Sequence, residues 1–126
     1  MKKNVIILVS VFLILLLVVG ITMLFTKKSL FTISMRAITD GGIITSEQGL
    51  VDGKTYLEKG KDLKIYMSPD EGYEIEKVLV DNKEIDLNTL VYEKNNPNAV
   101  SADGVAVYTF KNINKNYTID VYYKLK

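Results

Sequence analysis

Apolar residues follow two regimes along this chain, one unbroken run near the N-terminus and short alternating runs after it. From Val5 to Phe25 no residue is charged, and Lys2, Lys3 and Lys27, Lys28 bracket the run. As a helix at about 1.5 Å per residue it would extend about 32 Å, enough to cross a hydrocarbon core of about 30 Å. The spacing predicts a membrane segment interrupted only by Ser10, Gly20 and Thr22. A cleaved signal peptide is the rival reading. Its apolar region is normally about 7–15 residues, and a cut after Gly20 would leave Ile21, Met23, Leu24 and Phe25 on the mature chain, so a retained anchor is preferred.

From Leu30 onward the apolar period becomes two, the pattern of half-buried strands. Phe31, Ile33, Met35 and Ala37 alternate with Thr32, Ser34 and Arg36, and Asp40, Gly41 and Gly42 then supply a turn. Shorter strands are expected at Ile43 to Thr45 and Lys54 to Leu57. A longer one has Leu63, Ile65 and Met67 on one face and ends before Pro69. Tyr73 and Ile75 then lie on one parity and Val78 and Val80 on the other, so a β-bulge near Glu76 and Lys77 is needed to bring all four to one core. Asp81, Asn82 and Lys83 form a turn into Glu84, Ile85 and Asp86. Leu87 to Gly104, rich in Asn, reads as an irregular excursion, followed by strands around Tyr108–Phe110 and from Tyr117 to Leu125.

These patterns divide the chain into a tail (1–4), a transmembrane helix (5–26), a linker (27–30) and one β domain (31–126). The fold class expected is all-β, a small antiparallel domain of sandwich-like form, with a β-grasp-like variant left open. One hundred residues suffice for a single modest core. Met1 with its amine, Lys2 and Lys3 stand against Lys27 and Lys28 across the span, which narrowly favours an N-terminus inside and the β domain outside the cytoplasm.

Charge and composition remove several functions. Without Lys2 and Lys3, the 16 basic residues become 14 against 15 acidic ones, a net of −1 for residues 27–126, so no global field recruits nucleic acid. The chain has no Cys and no His. Disulfides, thiolate chemistry and iron–sulfur clusters are thereby excluded, and the commonest general base near neutral pH is missing. A non-catalytic protein without cofactor is expected.

Candidate chemistry is sparse. Asp70, Glu71, Glu74 and Glu76 form the densest acidic cluster, but Glu74 and Glu76 share a solvent-facing parity and no Asp-x-Asp-x-Asp-Gly loop accompanies them, so they read as a solvated turn and strand face. Lys59, Lys61 and Lys64 read as edge protection rather than a lipid patch. Asn116-Tyr117-Thr118 matches a glycosylation acceptor. Tyr66 and Tyr122 fall opposite the core residues of their strands; outward tyrosines offer rigid area with a polar tip, and if both lay on one sheet face they would form a shared contact patch.

Three segments carry a resemblance to a known family: Gly41-Gly42-Ile43-Ile44; Ser68-Pro69-Asp70-Glu71-Gly72-Tyr73-Glu74-Ile75 running into Val78-Leu79-Val80-Asp81; and Tyr108-Thr109-Phe110-Lys111-Asn112-Ile113 followed by Tyr117-Thr118-Ile119-Asp120-Val121. In these the chain, over roughly residues 31–125, resembles the divergent internalin B-repeat domain of bacterial cell-surface and secreted proteins. The resemblance implies a small all-β module on an extracellular protein, usually one unit of a stalk or adhesin, with no shared catalytic residues. The chain departs from the family in carrying a single copy and in having Leu87 to Gly104 where the family has a short connection. Together these readings give a single-pass membrane protein whose outer domain is a binding or spacer module, its partners the bilayer through Val5 to Phe25 and an envelope protein or glycan. The alternatives are a structural subunit of a pilus or secretion apparatus, and a secreted β domain with a cleaved signal.

Overall fold

Wherever apolar and polar residues alternate after Leu30, the chain forms a strand. The computed structural model describes residues 29–49 and 52–126; the expected membrane segment lies outside them. Among the described residues no helix is long and apolar enough to cross a membrane. The strands are β1 (Leu30–Ala37), β2 (Gly42–Ser46), β3 (Lys54–Glu58), β4 (Leu63–Pro69), β5 (Tyr73–Val80), β6 (Lys83–Glu84), β7 (Val91–Glu93), β8 (Val105–Phe110) and β9 (Tyr117–Leu125). They form two sheets, ordered β3-β1-β9-β5-β6 and β2-β4-β8-β7.

The two inner faces share one core. Ile33 and Met35 of β1, Ile75 and Val78 of β5, and Ile119, Val121 and Tyr123 of β9 pack with Ile44 of β2, Leu63, Ile65 and Met67 of β4, and Ala106 and Phe110 of β8. Burying such a face against its mirror is what stabilises alternating strands that would be marginal alone. The all-β class follows, and the only helical turn among the described residues is the 3₁₀ segment Leu87–Thr89.

The bulge occurs where the change of parity requires it. The β5–β9 register runs Ile75↔Tyr123, then Lys77↔Tyr122, so one extra residue at Glu76 returns Val78 to the core face. The β5–β6 hairpin closes through Asp81 (φ +50°) and Asn82 (φ +66°), the two left-handed residues of a type I′ turn.

Four features differ from the sequence expectation. The domain is not wholly antiparallel, because β1 pairs with β9 in parallel from Ile33↔Tyr117 to Ala37↔Val121. Ala37 and Leu125 share the core parity of their strands yet are exposed, since each runs past the cover of the opposite sheet. β4 keeps Pro69 as its last residue, and β8 begins at Val105. The Leu87 to Gly104 excursion is ordered. It contributes the edge strand β7 and then folds back over the outer face of its sheet, where the Ser68 hydroxyl accepts the Val100 N–H at 2.8 Å and the Ser101 hydroxyl donates to the Pro69 carbonyl at 3.1 Å. That cover explains why Val105, Val107 and Ser68 are buried although they point away from the main core.

Candidate functional site

Strand direction gives the domain two unlike poles. β1 starts beside the end of β3, with Leu30 opposite Glu58, at the pole that holds the turns Lys59–Asp62, Asp81–Asn82 and Lys111–Asn116. Those turns are bonded to one another: the Gly60 N–H donates to the Ile113 carbonyl, the Ile113 N–H to the Lys61 carbonyl, and the Asn112 N–H to an Asp62 carboxylate oxygen. β9 pairs in parallel with β1 over its first five residues, runs nine residues in all, about 30 Å, and ends at the opposite pole beside Tyr73. The turn Asp70–Gly72 and the loop from Lys94 to Gly104 lie at this far pole.

A cleft of about 220 Å³ opens there between the sheets, lined by Tyr73, Ile75, Tyr92 and Ala106, with Asp103 and Lys126 at its rim. Ile75 and Ala106 are buried, whereas Tyr92 is 59% exposed on the edge strand β7. The Lys126 ammonium lies 2.9 Å from the Asp103 carboxylate, and the Lys126 N–H donates to the Gly72 carbonyl, so the end of β9 is tied to both far-pole loops. Two tyrosine rings face a largely polar lining there, with Glu74, Asp103 and Lys126 as its charged groups, so the cleft can offer ring stacking beside polar contacts. Sequence reasoning missed this site because Tyr92 lies inside the stretch taken as irregular.

The two tyrosines expected to face outward do so, but from different sheets. Tyr66 is on β4, paired with Thr45 and Val107. Tyr122 is on β9 in the other sheet, with the Lys77 ammonium 4.6 Å above its ring. Both are half-buried. They stand on opposite sides of the sandwich and make no shared patch, because period two fixes a side of the strand and leaves open which sheet the strand joins.

The charged candidates resolve differently. Lys64 is not at an edge, since β4 lies inside its sheet, and Lys59 and Lys61 belong to the near-pole turn. Asp70 and Glu71 sit in the far-pole turn. Glu74 reaches Lys124 only at 3.9 Å, and Glu76 is exposed at the bulge. Among the described residues no three His, Cys, Asp or Glu side chains converge as metal ligands. Asn116, the glycosylation-type residue, accepts the Thr32 N–H through its side-chain oxygen at 2.9 Å.

Asp81 pins the near pole. Its carboxylate accepts the Thr118 N–H at 2.9 Å and the Lys115 ammonium at 3.0 Å. Burial alone would raise this carboxyl, but the Thr118 N–H and the Lys115 charge outweigh it and hold the group below its ordinary value. A folded value below the unfolded one means that the stabilisation is present above about pH 4 and is lost as pH falls through the folded value. Asp81→Asn should therefore lose less stability than wild type on acidification below about pH 4, read by denaturant unfolding at a series of pH values. Parallel curves for the two proteins would show that Asp81 does not couple folding to protons.

Compared with known protein families, with characterised proteins and with solved structures, the chain matches none.

Proposed function

We propose that this protein is a membrane-anchored, non-catalytic module that holds a contact surface outside the cytoplasm, with Val5 to Phe25 as the anchor and the β-sandwich as the displayed part. The observation that carries the reading is the polarity of the domain. The chain arrives at one pole through β1, and the cleft between Tyr73 and Tyr92 opens at the other, about 30 Å away. An anchor preceding β1 would set the near pole toward the bilayer and leave the cleft facing outward. The absence of His and Cys supports contact rather than catalysis. The resemblance of Gly41–Ile44, Ser68–Asp81 and Tyr108–Val121 to the divergent internalin B-repeat supports a bacterial envelope setting, with an envelope protein or glycan as the partner.

Two measurements test the reading. The full chain should stay in the membrane fraction through alkaline carbonate extraction, and protease added outside intact cells or spheroplasts should digest the β domain. A soluble species beginning at Ile21 would identify a cleaved signal. Protection of the domain until lysis would place it on the cytoplasmic side.

A further inference from the structure

We infer that the seam between β1 and β9 is a load-bearing clamp, which lets the domain transmit tension between its two ends without unfolding. The inference rests on the proposed function only for the source of the load; the clamp itself is a property of the fold. β1 and β9 are the first and last strands, they are neighbours, and they run parallel. Neither is an edge: β3 flanks β1 and β5 flanks β9. The chain leaves β1 toward the near pole and β9 toward the far pole. Tension applied between these ends slides one strand along the other, so every bond across the seam bears the load together.

The seam carries more than its ladder. At its near end the Thr32 N–H donates to the Asn116 side-chain oxygen at 2.9 Å, before the first paired residues Ile33 and Tyr117. In its middle the Arg36 guanidinium grips the Asp120 carboxylate with two parallel bonds, 2.7 and 2.8 Å long, over a carboxylate side chain only 4% exposed. Two-point pairing of this kind fixes direction as well as distance. Beyond Ala37, where β1 ends, the Ile38 N–H donates to the Val121 carbonyl at 3.0 Å.

Thr39 then takes the place of a peptide unit. Its hydroxyl accepts the Tyr123 N–H at 2.6 Å and donates to the Tyr123 carbonyl at 2.9 Å. The Tyr123 phenol in turn donates to the Ile43 carbonyl, tying β9 to the second sheet. Side chains thus extend the pairing past both ends of the regular ladder. Each of these bonds gives a backbone group a partner, and each also lies across the seam, where sliding must break it.

The absence of cysteine makes the test direct, because engineered thiols are then the only sites for pulling handles. The full chain in detergent, carrying Ser29→Cys and Leu125→Cys, loads the seam in shear. The full chain with Asp70→Cys and Leu125→Cys loads the neighbouring β5–β9 pair from its open end, which peels bonds one at a time. Single-molecule pulling should give a higher rupture force in shear than in peeling, since shear loads all the bonds of the seam together and peeling loads them one after another. Asn116→Ala, which removes the acceptor of the Thr32 N–H at the pole opposite the peeled end, should lower the shear force and leave the force that starts the peeling unchanged, whereas simple destabilisation would lower both. Equal forces along the two directions, or a proportional fall in both on Asn116→Ala, would overturn the clamp. Either result is independent of where the protein resides in the cell.

Discussion

Ile119→Ala should lower the unfolding free energy of the domain by about 2–5 kcal/mol, the range for truncating a buried Ile, Leu or Met side chain in a packed core. Ile119 has no exposed surface and is the third residue of β9, opposite Met35 on one side and Val80 on the other. Both neighbours belong to strands held from their far sides, so the cavity cannot close by moving an edge. Denaturant unfolding of residues 30–126 would read the effect, because every ladder described here lies within that segment. Glu74→Ala is the matched control and should stay within about 0.5 kcal/mol, since Glu74 and its 3.9 Å partner Lys124 are both half exposed and such pairs contribute little. Tyr73→Ala should fall at the lower end of the core range because its ring is half-buried. A circular dichroism spectrum dominated by helix in the isolated domain would sink the all-β assignment, and an Ile119→Ala midpoint equal to wild type would sink the core assignment.

What was legible in the sequence was local periodicity. The change of phase from Tyr73 and Ile75 to Val78 and Val80 located the bulge, because a strand that keeps one face buried has only one way to absorb an odd residue. The outward parity of Tyr66 and Tyr122 was legible for the same reason. What periodicity does not carry is partner choice. Nothing in Phe31 to Ala37 or in Tyr117 to Leu125 states that the first and last strands pair, let alone in parallel, although Thr32, Arg36 and Thr39 meet Asn116, Asp120 and Tyr123 at one constant separation of 84 residues. Asp120 shows the consequence. Its parity points it away from the core, and the neighbouring strand supplies the Arg36 guanidinium that covers it. The far-pole cleft was hidden for a related reason: Tyr92 belongs to a three-residue edge strand, too short for alternation to register.

Gly42→Ala should destabilise the domain by about 3 kcal/mol, near the upper end of the cost of forcing an extra carbon into a packed site. A Cβ at Gly42 would lie 2.5 Å from the Tyr123 ring and 2.6 Å from the Ser68 carbonyl oxygen. The carbonyl cannot yield, because Ser68 is held opposite Ile43 in the β2–β4 ladder. The ring has little freedom either, since its hydroxyl is fixed to the Ile43 carbonyl and burial pushes the phenol well above its ordinary value, keeping it protonated as a donor. Gly41 next to it has φ +111°, and a Cβ there would lie 2.2 Å from the Tyr73 ring. The two glycines therefore exist so that a tyrosine from β5 and a tyrosine from β9 can lie against bare backbone where the chain crosses from one sheet to the other. Because this corner also receives the end of the β1–β9 seam through Thr39 and Tyr123, Gly42→Ala should weaken the seam as well as the fold. The measurement is the denaturation midpoint of Gly42→Ala beside that of Gly49→Ala, where the added carbon meets nothing within 4 Å and only the left-handed backbone, φ +86°, opposes it. A larger loss at Gly49 than at Gly42 would show that backbone conformation, and not the packing of Tyr123 against the corner, sets the requirement for glycine.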